Sequence, residues 1–166
     1  MIENHADKLW RFAVAAYRAP GVADECLAAQ KQHGCDVCVL LAAAFAAAEG
    51  GLPDVTTISR WDSAVASWRE DVVTPLRAVR ATLKLREQLP EVAALRQNVL
   101  ASELEAERVE LAMLAVAQRA GPAPSGGQAT PEDRVTTGLR AACDYFTDAR
   151  VELPRLVAAV LKLVDP

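Results

Sequence analysis

The residues of this chain best equipped to hold a metal ion or to exchange electrons are Cys26, His33, Cys35 and Cys38. Zinc favours a tetrahedron of thiolate and imidazole ligands, and a turn at Gly34 could bring all four side chains around one ion. Structural zinc sites usually pair two CxxC knuckles, whereas here a single Cys35-Asp36-Val37-Cys38 tetrad runs straight into an apolar segment. The alternative is that the thiols are small buried hydrophobes. A Cys-based zinc or redox sensor is the functional reading set against it, and no cofactor is expected.

A second group is basic. At about 100° per residue, Arg69, Arg77, Arg80 and Lys84 fall within one arc of about 80° on a helix, beside the apolar stripe Val72, Leu76, Val79 and Leu83. Forked guanidiniums at successive turns suit carboxylates, phosphates or the acidic face of another protein. The bland alternative is a solvated row whose stems cover apolar neighbours and whose heads pair with Glu70, Asp71 or Glu87. On the functional reading, reversing Arg77 and Arg80 should disturb function far more than folding. Asp36 is the best acidic companion for one of these arginines, and it could equally be a helix-terminus acid stabilised by the local dipole. The acidic run Glu103, Glu105, Glu107 and Glu110 lacks the Glu-x-x-His spacing of a di-iron site. A match between it and the Arg77 to Lys84 row, within one molecule or between two, is its more physical use.

Catalytic machinery is scarce. There are two histidines, His5 in a terminus expected to fray and His33 at a helix end, and no Gly-rich phosphate loop, nucleophile elbow or HExxH. The function expected is therefore a non-enzymatic one, binding another protein through the Arg-lined helical surface. An alternative is a small-molecule or anion-binding protein with Arg69, Arg77 and Arg80 lining a pocket.

These residues must be positioned by helices. The 166 residues are 52% apolar but only 5% aromatic, and alanine fills much of the difference, which favours close-packed helices over sheets. The expectation is an all-α, single-domain multi-helix bundle over residues 1–166. Val37 to Ala48 carry no charge, no Pro and no Gly. This stretch is too short to cross a bilayer, which needs about 20 apolar residues, so it reads as a buried central helix, about 35–48. Asn4 with Asp7 can cap a first helix ended by Pro20-Gly21, and Gly34 supplies a left-handed stop to a second. Asp54, Thr56 or Thr57 opens a Pro-kinked helix, about 57–88, bent near Asp71 because Pro75 clashes with the carbonyl four residues back. A long helix, about 91–120, follows, with a seam at Val92, Leu95, Val99, Ser102, Ala106, Val109, Met113 and Val116 and a second, adjoining apolar row at Leu100, Leu104, Leu111 and Leu114. Residues 121–130 form a flexible Gly/Pro-rich loop before the Thr130-Pro131 helix start. Pro154 should kink or split the last helix, whose end docks on the body or on a partner.

A net charge of −4 argues against general nucleic-acid binding, which draws its affinity from excess Lys and Arg. No transmembrane segment is expected, and a homo-oligomer is an open option. Met1 to Lys8 lacks the basic start and apolar stretch of an export signal, so a cytoplasmic location with reduced thiols is expected.

The segments LWRFAVAAYRAPGVADECLAAQ, HGCDVCVLLAAAFAA, WREDVVTPLRAVRATLK and ELEAERVE resemble an uncharacterised family of small proteobacterial proteins of similar length, a domain of unknown function. The resemblance is strongest from Leu9 to Lys84 and weakens after Gly121. It implies a cytosolic bacterial protein and no activity. Asp36, Arg69, Pro75, Leu76, Arg77 and Arg80 match the family's motif more closely than Cys35 and Cys38 do.

Overall fold

The N-terminal helix α1 (His5–Arg18) starts where the Asn4 side chain accepts from the Ala6 N–H, and Pro20-Gly21 separates it from α2 (Val22–His33). The computed structural model of the chain describes residues 4–164. Gly34, at φ 69°, closes α2 in the left-handed conformation that glycine adopts without steric penalty. The chain then enters α3 (Val37–Ala48), whose N-cap is Asp36. Its side chain accepts the Val39 N–H at 2.8 Å. Nine of the twelve α3 residues are buried, and α1, α2, α4, α6, α7 and α8 all pack against it. Alanine on most sides is what lets so many neighbours approach one axis.

The next helix is capped by Asp54 and runs as α4 (Val55–Trp68), a π turn (Arg69–Val73) and α5 (Thr74–Lys84). The sequence calls for a kink near Asp71, and the chain resolves the same conflict by widening. Pro75 has no N–H to offer the Asp71 carbonyl and its ring crowds that oxygen. A longer-range bond, Thr74 N–H to the Arg69 carbonyl, takes over and makes room for the ring.

After the Leu89-Pro90 turn, α6 (Pro90–Arg119) folds back along α5 and into the body. Residues 121–129 are irregular, but they are tied to the end of α3, since the Gly126 N–H donates to the Gly50 carbonyl at 3.1 Å. Helix α7 (Pro131–Phe146) has Thr130 as its cap and ends where Thr147 turns extended, too far ahead of Pro154 for that proline to break it, so the split falls earlier than expected and Pro154 instead opens α8 (Pro154–Val164) as its first residue. Glu25 of α2 accepts the Arg155 and Leu156 N–H groups and so caps α8 across the fold. That helix docks on α1, α2, α3 and α7. Among the described residues there is no strand, and no helix is long and apolar enough to cross a membrane.

The α6 seam differs from the apolar pattern. The buried face is Glu103, Ala106, Glu110, Leu111, Leu114, Ala115 and Ala117, whereas Val109 and Val116 are exposed. Ala106 of the seam and Leu111 and Leu114 of the adjoining row do lie on the buried face, and what apolar periodicity passes over is that glutamates hold two of its positions. His5 is likewise ordered in the first turn of α1, bonded to Gln118 at 2.9 Å and tilted against Phe45.

Candidate functional site: a buried arginine–carboxylate network

The π turn aims Arg69 inward, where it meets carboxylates from three elements. Arg69 Nε lies 2.7 Å from Asp36 at the α3 N-cap and 3.2 Å from Glu110 of α6. Its Nη2 donates to Asp62 of α4 at 2.6 Å. The Tyr145 hydroxyl of α7 completes the ring of partners by donating to the other Asp62 oxygen at 2.9 Å. A single guanidinium thus joins the start of α3, α4, α6 and, through Asp62, α7.

Outward along the α5–α6 pair the pattern repeats, with the two helices antiparallel. Arg77 bonds Glu103 at 3.3 Å and Glu107 at 3.0 Å, and Arg80 bonds Glu103 through both Nε and Nη2. Trp68 adds an indole N–H to the Ala106 carbonyl at 2.9 Å. The basic arc is therefore turned toward α6, and of the two uses open to the acidic run the intramolecular one is realised. Arg77 and Arg80 are half-buried, Glu103 is buried, and only Lys84 stays exposed at the far end of the row. A solvated arginine surface is not what the fold presents.

The electrostatics follow from burial. Five carboxylates, Asp36, Asp62, Glu103, Glu107 and Glu110, face three guanidiniums, and taking an ion out of water costs several kcal/mol unless it is matched. Glu110 is wholly buried, and its Oε2 has no partner. Burial, then the neighbouring Asp36 charge, push its pKa up to about 8 against the pull of Arg69. Burial also raises Asp36 and Glu107, opposed by Arg69 and Arg77 respectively. Burial works against the Arg69 charge, but Asp36, Asp62 and Glu110 more than offset it and hold the guanidinium charged. With its pKa at about 8, Glu110 keeps its proton at neutral pH beside the charged Arg69.

The metal reading can be tested on donor geometry. Cys26, His33, Cys35 and Cys38 do not converge: Cys38 turns toward α6, its Sγ 3.9 Å from the Glu107 carbonyl, and among the described residues no three of the four bring ligand atoms together. The reason is helical geometry, since Cys35 precedes the cap and Cys38 sits in the first turn, facing another neighbour. Among the described residues one trio, Asp36, Cys38 and Glu110, brings ligand atoms within 4.8 Å of one another. Yet both Asp36 oxygens and one Glu110 oxygen are already engaged, by the Val39 N–H and Arg69. Two open donors beside a guanidinium fall short of a tetrahedral zinc set.

The anion reading meets a similar obstacle, because the guanidiniums of Arg69, Arg77 and Arg80 are already paired with an excess of carboxylates. A perturbed acid such as Glu110 is a candidate proton donor only where substrate can reach it. A cleft near His5, Trp61 and Arg119 and another between α7 and α8 are both lined without Asp36, Asp62, Arg69 or Glu110.

Sequence reasoning missed Asp62, Tyr145 and the individual importance of Glu103 and Glu110. Asp62 follows Ile58 by four residues and precedes Val65 by three, placing an acid on the packed face seven residues before Arg69. That spacing was the available signal.

Comparison with known proteins adds one finding. A family model described as "Protein of unknown function (DUF2390)" matches residues 8–114, a span that ends within α6 and contains Asp36, Asp62, Arg69, Arg77, Arg80, Glu103, Glu107 and Glu110. No curated protein and no solved structure matches the chain.

Proposed function

The chain belongs to this family of unknown function, and we propose that it works without catalysis, by binding another protein through the outer face of the α5–α6 arm. One observation carries the reading: α5 buries none of its residues, and α6 buries none before Glu103. The arm is thus a pair of helices roughly 20 Å long that packs on itself and stands off the core. Val79, Leu85, Leu89 and Leu95 on it are exposed, Leu85 by 80%. A helix pair cannot cover its own apolar stripes, and a further helical layer is what normally does so.

The arginines serve this reading from behind. By pairing with Glu103 and Glu107 they fix the base of the arm to the body, so that its apolar face is held out rigidly and little ordering entropy is lost on binding. The setting we infer is the bacterial cytoplasm, in keeping with the family the sequence resembles. A photo-crosslinking residue at Leu85 in the native host should join the protein to one defined partner, while the same probe at Leu163, exposed on α8, should not. Equal cross-linking from both positions would contradict the proposal.

A further inference from the structure

A cleft of about 330 Å³ lies where the start of α1, the ends of α3 and α6 and residues 121–124 meet beside α4. Trp61 of α4 lines it and is wholly buried, and its indole N–H has no hydrogen-bond partner among the described residues. We propose that this cleft is a small-molecule site whose ligand is a neutral, flat ring with a cyclic-amide edge, a carbonyl beside an N–H, of the kind a nucleobase carries.

The unpartnered indole is the first support. Trp68, seven residues on in the same helix, gives its N–H to the Ala106 carbonyl at 2.9 Å, as a buried indole ordinarily does. Trp61 has no such acceptor within the protein, so the one left to it is an acceptor that a ligand brings, and pairing a buried donor recovers the cost of leaving it unmade. The second support is an acceptor on the same cleft. Gln118 gives its amide N–H to the Ala42 carbonyl at 2.9 Å, so its Oε1 faces His5 Nε2, also at 2.9 Å. Nε2 therefore carries the ring proton, and Nδ1 of the neutral ring is an acceptor without a partner among the described residues.

Shape and charge narrow the class. Phe45 is buried with its ring tilted against those of His5 and Phe12, at 5.4 and 5.2 Å between centroids. With Ala46 and Pro124 it makes an apolar lining suited to a flat ring. Gly51 lets residues 121–124 pack against the end of α3, since a Cβ there would lie 2.9 Å from the Ala46 and Pro124 carbonyl oxygens. Glu49 and Arg119 line the cleft, exposed and without ion-pair partners among the described residues, so it carries one charge of each sign and favours neither a cation nor an anion. A hydrocarbon would leave the indole N–H unpaired, and a carboxylate brought to the indole would be desolvated with no buried cation to match it. This inference is independent of the arm's role in partner binding.

Isotope-labelled full-length protein should be titrated with uracil and with hypoxanthine, and with benzoate and indole as controls, while the three tryptophan indole N–H signals are followed by NMR. Trp10→Phe and Trp68→Phe assign the signals and leave Trp61 untouched. The expected result is a saturable downfield movement of the Trp61 signal with at least one of the two amides, while Trp68, already bonded to Ala106, stays in place. Both controls should bind at least about tenfold more weakly, and His5→Ala should weaken the amide by about tenfold. The bound amide should also slow native proteolysis within residues 121–129, whose first part lines the cleft. No movement of the Trp61 signal up to the solubility limit of both amides would overturn the assignment. So would benzoate or indole binding as tightly as the amides, or amide affinity unchanged in His5→Ala.

Discussion

Replacing Glu110 with glutamine should leave the protein about as stable as the wild type in mild acid and make it more stable above pH 8. Glu110 is wholly buried, with one oxygen 3.2 Å from Arg69 and the other without a partner. Burial, then the Asp36 charge, raise its pKa from 4.5 to about 8. A carboxyl whose pKa is higher in the folded state holds its proton more tightly there. Between roughly pH 4.5 and pH 8 the unfolded chain therefore binds fewer protons than the native one, and stability falls as pH rises. The slope approaches about 1.4 kcal/mol per pH unit, or roughly 4–5 kcal/mol over the window. Asp36, also raised by burial, adds a contribution of the same sign in both proteins. Glutamine keeps the shape and cannot ionise. Urea unfolding of both proteins at steps from about pH 5.5 to about pH 8.5 should show a falling curve for the wild type and a flatter one for Glu110→Gln. A variant weakened equally at every pH, by the about 3–5 kcal/mol that follows breaking a buried charge pair, would mean that Glu110 is ionised against Arg69, and the protonated-acid account would be wrong.

Charge reversal at Arg77 and Arg80 should destabilise the fold by about 3 kcal/mol or more, because Glu103, whose side chain is 5% exposed, would then face two further carboxylates. An unchanged melting temperature would mean that these arginines are solvated after all. A chelator should leave thermal unfolding unaltered, since Cys26, His33, Cys35 and Cys38 do not converge, and a loss of cooperativity restored by zinc would reverse that conclusion. Limited proteolysis under native conditions should cut first within residues 121–129, where one backbone bond from Gly126 to Gly50 is a weak tether. A first cut inside Pro90–Arg119 would contradict a continuous α6.

The helical scaffold was legible because its signals are local. Asn4, Asp54 and Thr130 cap as their side chains dictate, and Gly34 stops α2. The uncharged stretch from Val37 to Ala48 had to be central. Residue type also nominated Asp36, Arg69, Arg77 and Arg80, which fall into two neighbouring clusters, Asp36 and Arg69 with Glu110 and Arg77 and Arg80 with Glu103. What could not be read was which way the arc faces. A row of arginines has the same periodicity whether it meets water or a buried glutamate, and the decision lay in Glu103 and Glu110, which occupy seam positions that an apolar search passes over. The π turn was half legible: Pro75 forces a departure from α geometry, but bending and widening both relieve it.

The most direct test of partner binding through the arm is the affinity of the cross-linked partner for the Leu85→Ser, Leu89→Ser double variant, measured alongside its melting temperature. Both side chains are more than half exposed, so folding should change by no more than about 0.5 kcal/mol per site. A leucine that the partner fully buries contributes about 1.5 kcal/mol or more through its apolar surface, so the dissociation constant should rise at least about tenfold. Wild-type affinity in a double variant of unchanged stability would contradict the account.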